Sequence, residues 1–282
     1  MVNNYRGVED TTLFSQVVNK LRQFFLQKGF VEVHTQDRLS ILAACEDPTT
    51  VASFDYDKNV WPLPQTGQMW LEYELLTKPQ LPGVFCVSTS FRNEPNPIPG
   101  RHKILFPMFE FEAKGGIDEL KFLEEELLMY LGFGHPANFT HKSYDSLATH
   151  YGVEELTSAE ESNMKVDFGN VVFLERFPQH TSPFWNMKKE GNYASKIDVI
   201  IDGQETIGSA ERSTNTEEMR ELFHTISNGQ YAETLYNLFG KERVEKELEE
   251  FLALPFFPRF GGGIGMTRLM KAVAAKALAP QI

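Results

Sequence analysis

The Asp202-Gly203 pair, set between 194-ASKIDVII-201 and 204-QETIGSAER-212, constrains the fold of this chain more than any other feature. Asp-Gly between two alternating segments signals a two-residue hairpin turn, because both central residues must take positive φ. A second pair repeats the arrangement. The stretch 84-VFCVSTSFR-92 puts Phe85, Val87 and Phe91 on one face and Ser88, Ser90 and Arg92 on the other, and residues 104–112 supply an antiparallel partner. Residues 170–176 also read as a strand. Strands joined as hairpins are not crossover units, so with the helices below they predict an α+β fold with an antiparallel sheet.

Helical periodicity runs through residues 13–28, where Val17, Leu21, Phe24 and Phe25 share a face and Gly29 is the terminator. FVEVHT then reads as a short strand, and residues 40–67 as irregular and loop-rich. Asp118 is the expected cap of a helix reaching about Tyr130. Residues 216–253 read as helix in two or three pieces, broken near Asn228-Gly229 and Gly240, and a final helix is expected from Gly265 to about Ala279. No repeat or low-complexity linker divides the 282 residues, so the expectation is one domain over 1–282.

Composition narrows the function classes. The net charge of -12 gives no general attraction to a phosphate backbone, and the only basic clusters are Lys188-Lys189 and Arg101-His102-Lys103. Cys45 and Cys86 form neither a disulfide framework nor a zinc spacing, which fits a reducing, cytoplasmic setting. The N-terminus lacks a signal-peptide core, and no apolar run approaches the roughly 20 residues of a membrane span.

Three constellations carry chemistry. In 91-FRNEPNPIPGRHKILFPMFEFE-112, period-2 alternation sends Arg92 and Glu94 to one face and Phe106, Met108, Glu110 and Glu112 to one face, with Arg101 and His102 in the loop. An arginine fork beside a basic loop suits phosphate oxygens, and Phe106 suits a stacked purine. The same residues also describe an amphipathic hairpin with a solvated outer face. Counting back from Asp202-Gly203, Ile200 opposes Glu205 and Asp198 opposes Ile207, which makes Asp198 and Glu205 diagonal neighbours roughly 7–8 Å apart. Two hard oxygen ligands completed by phosphates is a usual Mg²⁺ arrangement; unrelated surface acids are the other reading. In 261-GGGIGMTRLM-270, glycines lead into a helix N-terminus and Arg268 projects from its first turn. The Gly-Lys-Ser/Thr ending of a Walker loop is missing, and tight backbone packing explains a glycine run equally well.

Taken together, the three segments resemble the class II aminoacyl-tRNA synthetase core. The first resembles motif 2 (Phe-Arg-x-Glu, a loop, Arg/His, then a Phe-containing strand) and the third motif 3 (Gly-x-Gly-x-x-Arg). The second resembles the strand pair of the aspartyl/asparaginyl branch, whose Asp, Glu and Arg at intervals of six intervening residues match Asp198, Glu205 and Arg212. The segment 177-FPQHTSPFWNMK-188 resembles the part of that branch preceding the hairpin, and the likeness spans about residues 14 to 276.

The resemblance implies a class II sheet flanked by helices, with ATP and Mg²⁺ as cofactors. It implies Arg92 on the α-phosphate, Glu94 on the adenine edge, Arg101 or His102 on the outer phosphates, and Phe106 under the adenine. Arg268 covers the other adenine face or the γ-phosphate, and Asp198 and Glu205 hold Mg²⁺. Gln68 and Glu110 contact the amino acid, and Arg212 pairs with its side-chain carboxylate. Several departures accompany it. Leu71 stands where the branch has a lysine, Thr267 where motif 3 has an acid, and Gln36 where motif 1 has a proline. Trp70, Trp185, Glu72 and Glu74 are candidates for reshaping the pocket, and no anticodon-binding barrel precedes the core.

Free-standing cores of this branch include AMP-forming, ammonia-dependent asparagine synthetases, whose motif 3 is similar to GGGIGMTR. The resemblance therefore implies a ligase that makes an aminoacyl-adenylate from aspartate or a related amino acid and passes it to ammonia or another amine. A tRNA, carrier or protein acceptor is an alternative, although -12 makes tRNA a poor partner. A catalytically inactive regulatory protein is another. Motif 1 cores generally pair, so Leu13–Thr35 implies a homodimer.

Overall fold

The computed structural model describes residues 8, 10–35, 39–41, 50–94, 103–181 and 183–278. Arg101, His102, Gln36 and Cys45 lie outside the described residues. The elements in chain order are α1 (Thr11–Gln27), β1 (Val31–Glu32), β2 (Ser53–Tyr56), β3 (Asn59–Pro62), α2 (Gln68–Thr77), β4 (Gly83–Phe91), β5 (Leu105–Lys114) and α3 (Ile117–Tyr130). There follow β6 (Thr140–Ser143), α4 (Tyr144–Tyr151), α5 (Ser158–Phe168), β7 (Val171–Pro178), β8 (Lys189–Glu190), β9 (Tyr193–Ile201) and β10 (Gln204–Glu211). The chain closes with α6 (Thr216–Thr225), α7 (Gln230–Phe239), α8 (Lys241–Leu252), β11 (Arg259–Gly265) and α9 (Met266–Leu278).

Among the described residues, nine strands form one sheet in the order β1-β4-β5-β11-β10-β9-β7-β6, with β8 on β9. Among these residues, only the edge pairs β1–β4 and β6–β7 are parallel. The expected antiparallel α+β architecture is therefore present. One face is covered by α1, α3 and α9: Leu21, Phe25, Leu120, Leu127 and Leu269 meet Phe85, Phe109, Phe111, Val199 and Ile264. Phe25 is central, with its ring centroid 5.0 to 5.8 Å from those of Phe30, Phe85, Phe109 and Phe111. Truncating such a ring to alanine costs about 3–5 kcal/mol. On the opposite face, α6, α7 and α8 build a second cluster around Trp185, Phe223 and Phe251, and α4 and α5 pack on Val172, Leu174 and Phe177.

Several expectations change. Helix α1 begins at Thr11 rather than 13, because Asp10 accepts a hydrogen bond from Leu13 N at 2.9 Å and caps it. Asp118 lies inside the first turn of α3, where Gly116 is the cap and its N–H donates to Glu119 at 2.8 Å. The segment 40–67 holds a hairpin, β2–β3, turned by Asp57 and Lys58 with φ of 49° and 63°. An Asp-Lys turn lacks the glycine that makes such turns legible. The glycine run that leads into the last helix is itself a strand: β11 sits between β5 and β10, and α9 starts at Met266 rather than Gly265. No helix among the described residues is long and apolar enough to cross a membrane.

Candidate active site

Side chains alternate along a strand, so the residues between core-facing ones point away from α1, α3 and α9. On that second face, neighbouring strands line up as two rows. One row runs Cys86, Glu110, Gly263, Gly208, Asp198, and the other Val84, Glu112, Gly261, Ala210, Lys196. The central strands β10 and β11 thus present three glycines and an alanine, while β5 and β9 carry charged residues on either side. The result is a trough spanning three strand spacings, roughly 14 Å. Gly261 is sterically required: a Cβ there would fall on the Glu112 carboxylate and lie 2.7 Å from the backbone carbonyl of Phe111.

The register of the second hairpin differs from a simple count. A β-bulge between Glu205 and Ile207 places Gly208, not Ile207, opposite Asp198. The shift still brings the acids together. A Cβ built on Gly208 would lie 3.1 Å from Glu205 Oε1 and 3.5 Å from Asp198 Oδ1, so both carboxylates lean over the same glycine. Asp198 is buried; its Oδ2 accepts from Lys196 Nζ at 2.7 Å, and its Oδ1 has no hydrogen-bond partner. Burial pushes this carboxyl up to about 7, with Lys196 pulling it down and Glu205 pushing it up. An orphaned buried carboxylate oxygen beside a second acid, over a position where a side chain would intrude, suits a hard divalent cation. Among the described residues no three His, Cys, Asp or Glu side chains are placed to hold a metal alone, so a cation here needs ligand oxygens as well.

Arg268 joins this corner. Its Nη1 donates to Glu205 O at 2.6 Å and lies 3.5 Å from Glu205 Oε2. At the other side, Arg92 N bonds Ile104 O at 2.9 Å, closing the β4–β5 pair, and the guanidinium lies 5.0 Å over the Phe106 ring. Glu94 is half-buried just beyond it. Arg92, Phe106, Asp198 and Glu205 therefore share one face of the sheet, and Arg268 reaches Glu205 from α9.

A buried ionic network closes the trough near α2. Arg212 donates to Glu112 through Nε (3.0 Å) and Nη2 (3.2 Å), and to Gln68 Oε1 at 2.8 Å. One layer deeper, Arg259 Nε donates to Glu72 at 2.9 Å, and Asn186 Nδ2 donates to the other Glu72 oxygen at 2.5 Å. Burial pushes Glu112 up to about 7, against the pull of Arg212 and with the push of Glu72. Glu110 fixes the start of α2: it accepts from Thr66 Oγ1, from Gly67 N at 2.8 Å and from Ser88 Oγ. Gln68 N in turn donates to Thr66 Oγ1 at 3.1 Å.

The family profile described as "tRNA synthetases class II (D, K and N)" matches residues 6–277. The chain belongs to this family. An elongation factor P--(R)-beta-lysine ligase homolog of Aquifex aeolicus is 26% identical over 237 residues, 72% of this chain and 78% of that protein. The asparaginyl-tRNA synthetase of Pyrococcus horikoshii complexed with asparaginyl-adenylate superposes with a TM-score of 0.75 at 21% identity, over 93% of this chain and 64% of that one. The Entamoeba histolytica asparaginyl-tRNA synthetase gives 0.73 at 17% identity, over 94% and 63%. This chain thus spans just under two thirds of the length of those two synthetases, and the likeness to them is one of fold.

Of the expected site residues that are described in this class II core, Arg92, Phe106, Glu110, Asp198 and Glu205 stand on the outward face of the sheet, Gln68 and Arg212 meet at one end of the trough, and Arg268 reaches Glu205 from α9. Arg212, matched by resemblance to a substrate carboxylate, is 2% exposed and held by Glu112. Trp185 is fully buried in the α6–α8 cluster rather than in the trough, packed on Phe223 and Phe251. Glu74 pairs with Lys78. Arg259 and Asn186 carry no sequence signal that separates them from ordinary core-flanking residues. Lys196 was missed too, although alternation from Asp198 puts it on the same face.

Proposed function

We propose that this class II core is an AMP-forming, ATP-dependent ligase that activates an amino acid as its acyl-adenylate and passes the acyl group to an amine. The observation that carries this reading is the convergence of Asp198 Oδ1 and Glu205 Oε1 over Gly208, with Arg268 attached to Glu205 and Arg92 on Phe106 across the same face. That arrangement suits a triphosphate laid along the trough with its base toward Phe106. A Mg²⁺ held by Asp198 and Glu205 would neutralise charge on the phosphates. Arg92 and Arg268 orient the α-phosphate and the departing end for in-line attack. A carboxylate oxygen of the amino acid forms the new bond to the α-phosphorus, and the bond to the bridging oxygen breaks to release pyrophosphate. The amine nitrogen then attacks the acyl carbon, loses a proton, and AMP leaves.

Gln68, Glu110 and Arg212 would contact the amino acid in this reading. Aspartate with ammonia as acceptor is the version that GGGIGMTR and Arg212 support. The version with a protein amine as acceptor draws support from the name of the Aquifex relative. A two-fold pairing through α1 and β1 belongs to the same reading. The test is amino-acid-dependent exchange of pyrophosphate into ATP across the standard amino acids, with ammonia and hydroxylamine as trial acceptors. Exchange with at least one amino acid is expected; none with any, in protein that stays folded, ends the proposal.

A further inference from the structure

Lys196 takes no part in the roles above, yet its placement is tightly specified. It precedes Asp198 by two residues on β9, and its neighbours across the sheet are Ala210, Gly261 and Glu112. Only a methyl group and a hydrogen stand on the two strands between Lys196 and Glu112. The ammonium is clamped, with Nζ 2.7 Å from Asp198 Oδ2 and 3.8 Å from the centre of the Phe177 ring. Phe177 reaches that position through a register shift between Glu175 and Phe177, where Arg176 has a left-handed φ of 59°. Such a conformation costs a non-glycine residue about 1–2 kcal/mol, and bulges commonly re-aim side chains beside functional sites.

A lysine that served only to neutralise Asp198 would be a structural ion pair. The geometry at the other carboxylate oxygen goes further. Asp198 Oδ1 is buried without a partner and leans with Glu205 over Gly208. A cation held there by Asp198 and Glu205 would bring its other ligand oxygens up to the carboxylate that Nζ already touches. If ATP is the ligand, they belong to its phosphates.

We infer that Lys196 binds the phosphate groups of the nucleotide directly, as a fixed point charge beside Asp198, so that part of the ATP affinity needs no metal. The inference rests on the ATP-dependent reading above. Lysine is suited to the task as a compact cation with three donors.

Calorimetric titration of ATP in Mg²⁺ and in a chelator tests it. The wild-type chain binds in both buffers. Lys196→Met weakens binding in chelator about tenfold to a hundredfold, the scale of one charged hydrogen bond, while Lys196→Arg stays within about threefold. Asp198→Asn removes a metal ligand and the negative charge that holds the ammonium, so it binds ATP in chelator at least as well as the wild type. Adding Lys196→Met to Asp198→Asn abolishes that gain. If the lysine served only Asp198, the single Asp198→Asn variant and the double variant would bind alike, and that equality overturns the inference. So does a wild-type chain that binds ATP only with Mg²⁺, or a Lys196→Met variant that matches the wild type in chelator. A wild-type chain that binds ATP in neither buffer overturns the ligase reading itself.

Discussion

Glu124 is an acid buried inside the helix-covered core, and replacing it with methionine has a calculable consequence. The residue lies on α3, is fully buried, and neither carboxylate oxygen has a hydrogen-bond partner. Burial pushes its carboxyl from 4.5 up to about 8; the nearby Ser209 hydroxyl pulls the other way, and Asp198 and Glu175 add to the rise. An acid whose folded pKa is raised binds a proton in the folded state that the unfolded chain has released. Stability is therefore greatest below the unfolded pKa, falls by about 1.4 kcal/mol per pH unit, and levels off above about pH 8. Between about pH 5 and pH 8 this one group removes roughly 4 kcal/mol. Glu124→Met has similar volume and no charge, so it abolishes the dependence. Urea unfolding of both proteins across that range is the assay, and the difference between them cancels every other titrating group. We expect the variant's advantage to grow by roughly 4 kcal/mol from pH 5 to pH 8. A difference that stays flat would mean that the carboxyl is hydrated or paired, and would refute the reasoning.

Two further predictions concern the trough. Gly208→Ala places a methyl group 3.1 Å from Glu205 Oε1 and 3.5 Å from Asp198 Oδ1, and no backbone or core atom lies as near. Thermal stability should hold or rise by about 0.5 kcal/mol, as for a strand glycine replaced by alanine, while calorimetry shows Mg²⁺-dependent ATP binding weakened about tenfold or more. Arg212→Met leaves Glu112 buried without its bidentate partner and should cost about 3–5 kcal/mol in urea unfolding. Adding Glu112→Gln removes the stranded charge, and the double variant should recover most of that loss.

The parts of the site set by local periodicity were legible from the residues alone. Alternation in 84–92 and 104–112, and the Asp202-Gly203 turn, fix which residues share a face, because that depends only on a period of two and a turn type. Arg92, Phe106, Asp198 and Glu205 were found that way. The bulge after Glu205 was not legible, since an extra residue leaves no mark in an alternating pattern. Helix α2 was missed because it is buried on most sides and shows no amphipathic stripe, with Met69, Leu71, Glu72, Leu75 and Leu76 all inside.

The sequence by itself determined the strand pairs, the acids and arginines on their outward faces, and the family of the chain. Only the tertiary structure decided what those charges meet. Arg212 finds Glu112 a hundred residues away, and Arg259 finds Glu72 across 187. The glycines of β11 serve as a flat floor between two strands rather than as a loop around a ligand. Buried charges take partners from whichever strand or helix the packed core brings near, and that choice is made by the whole sheet.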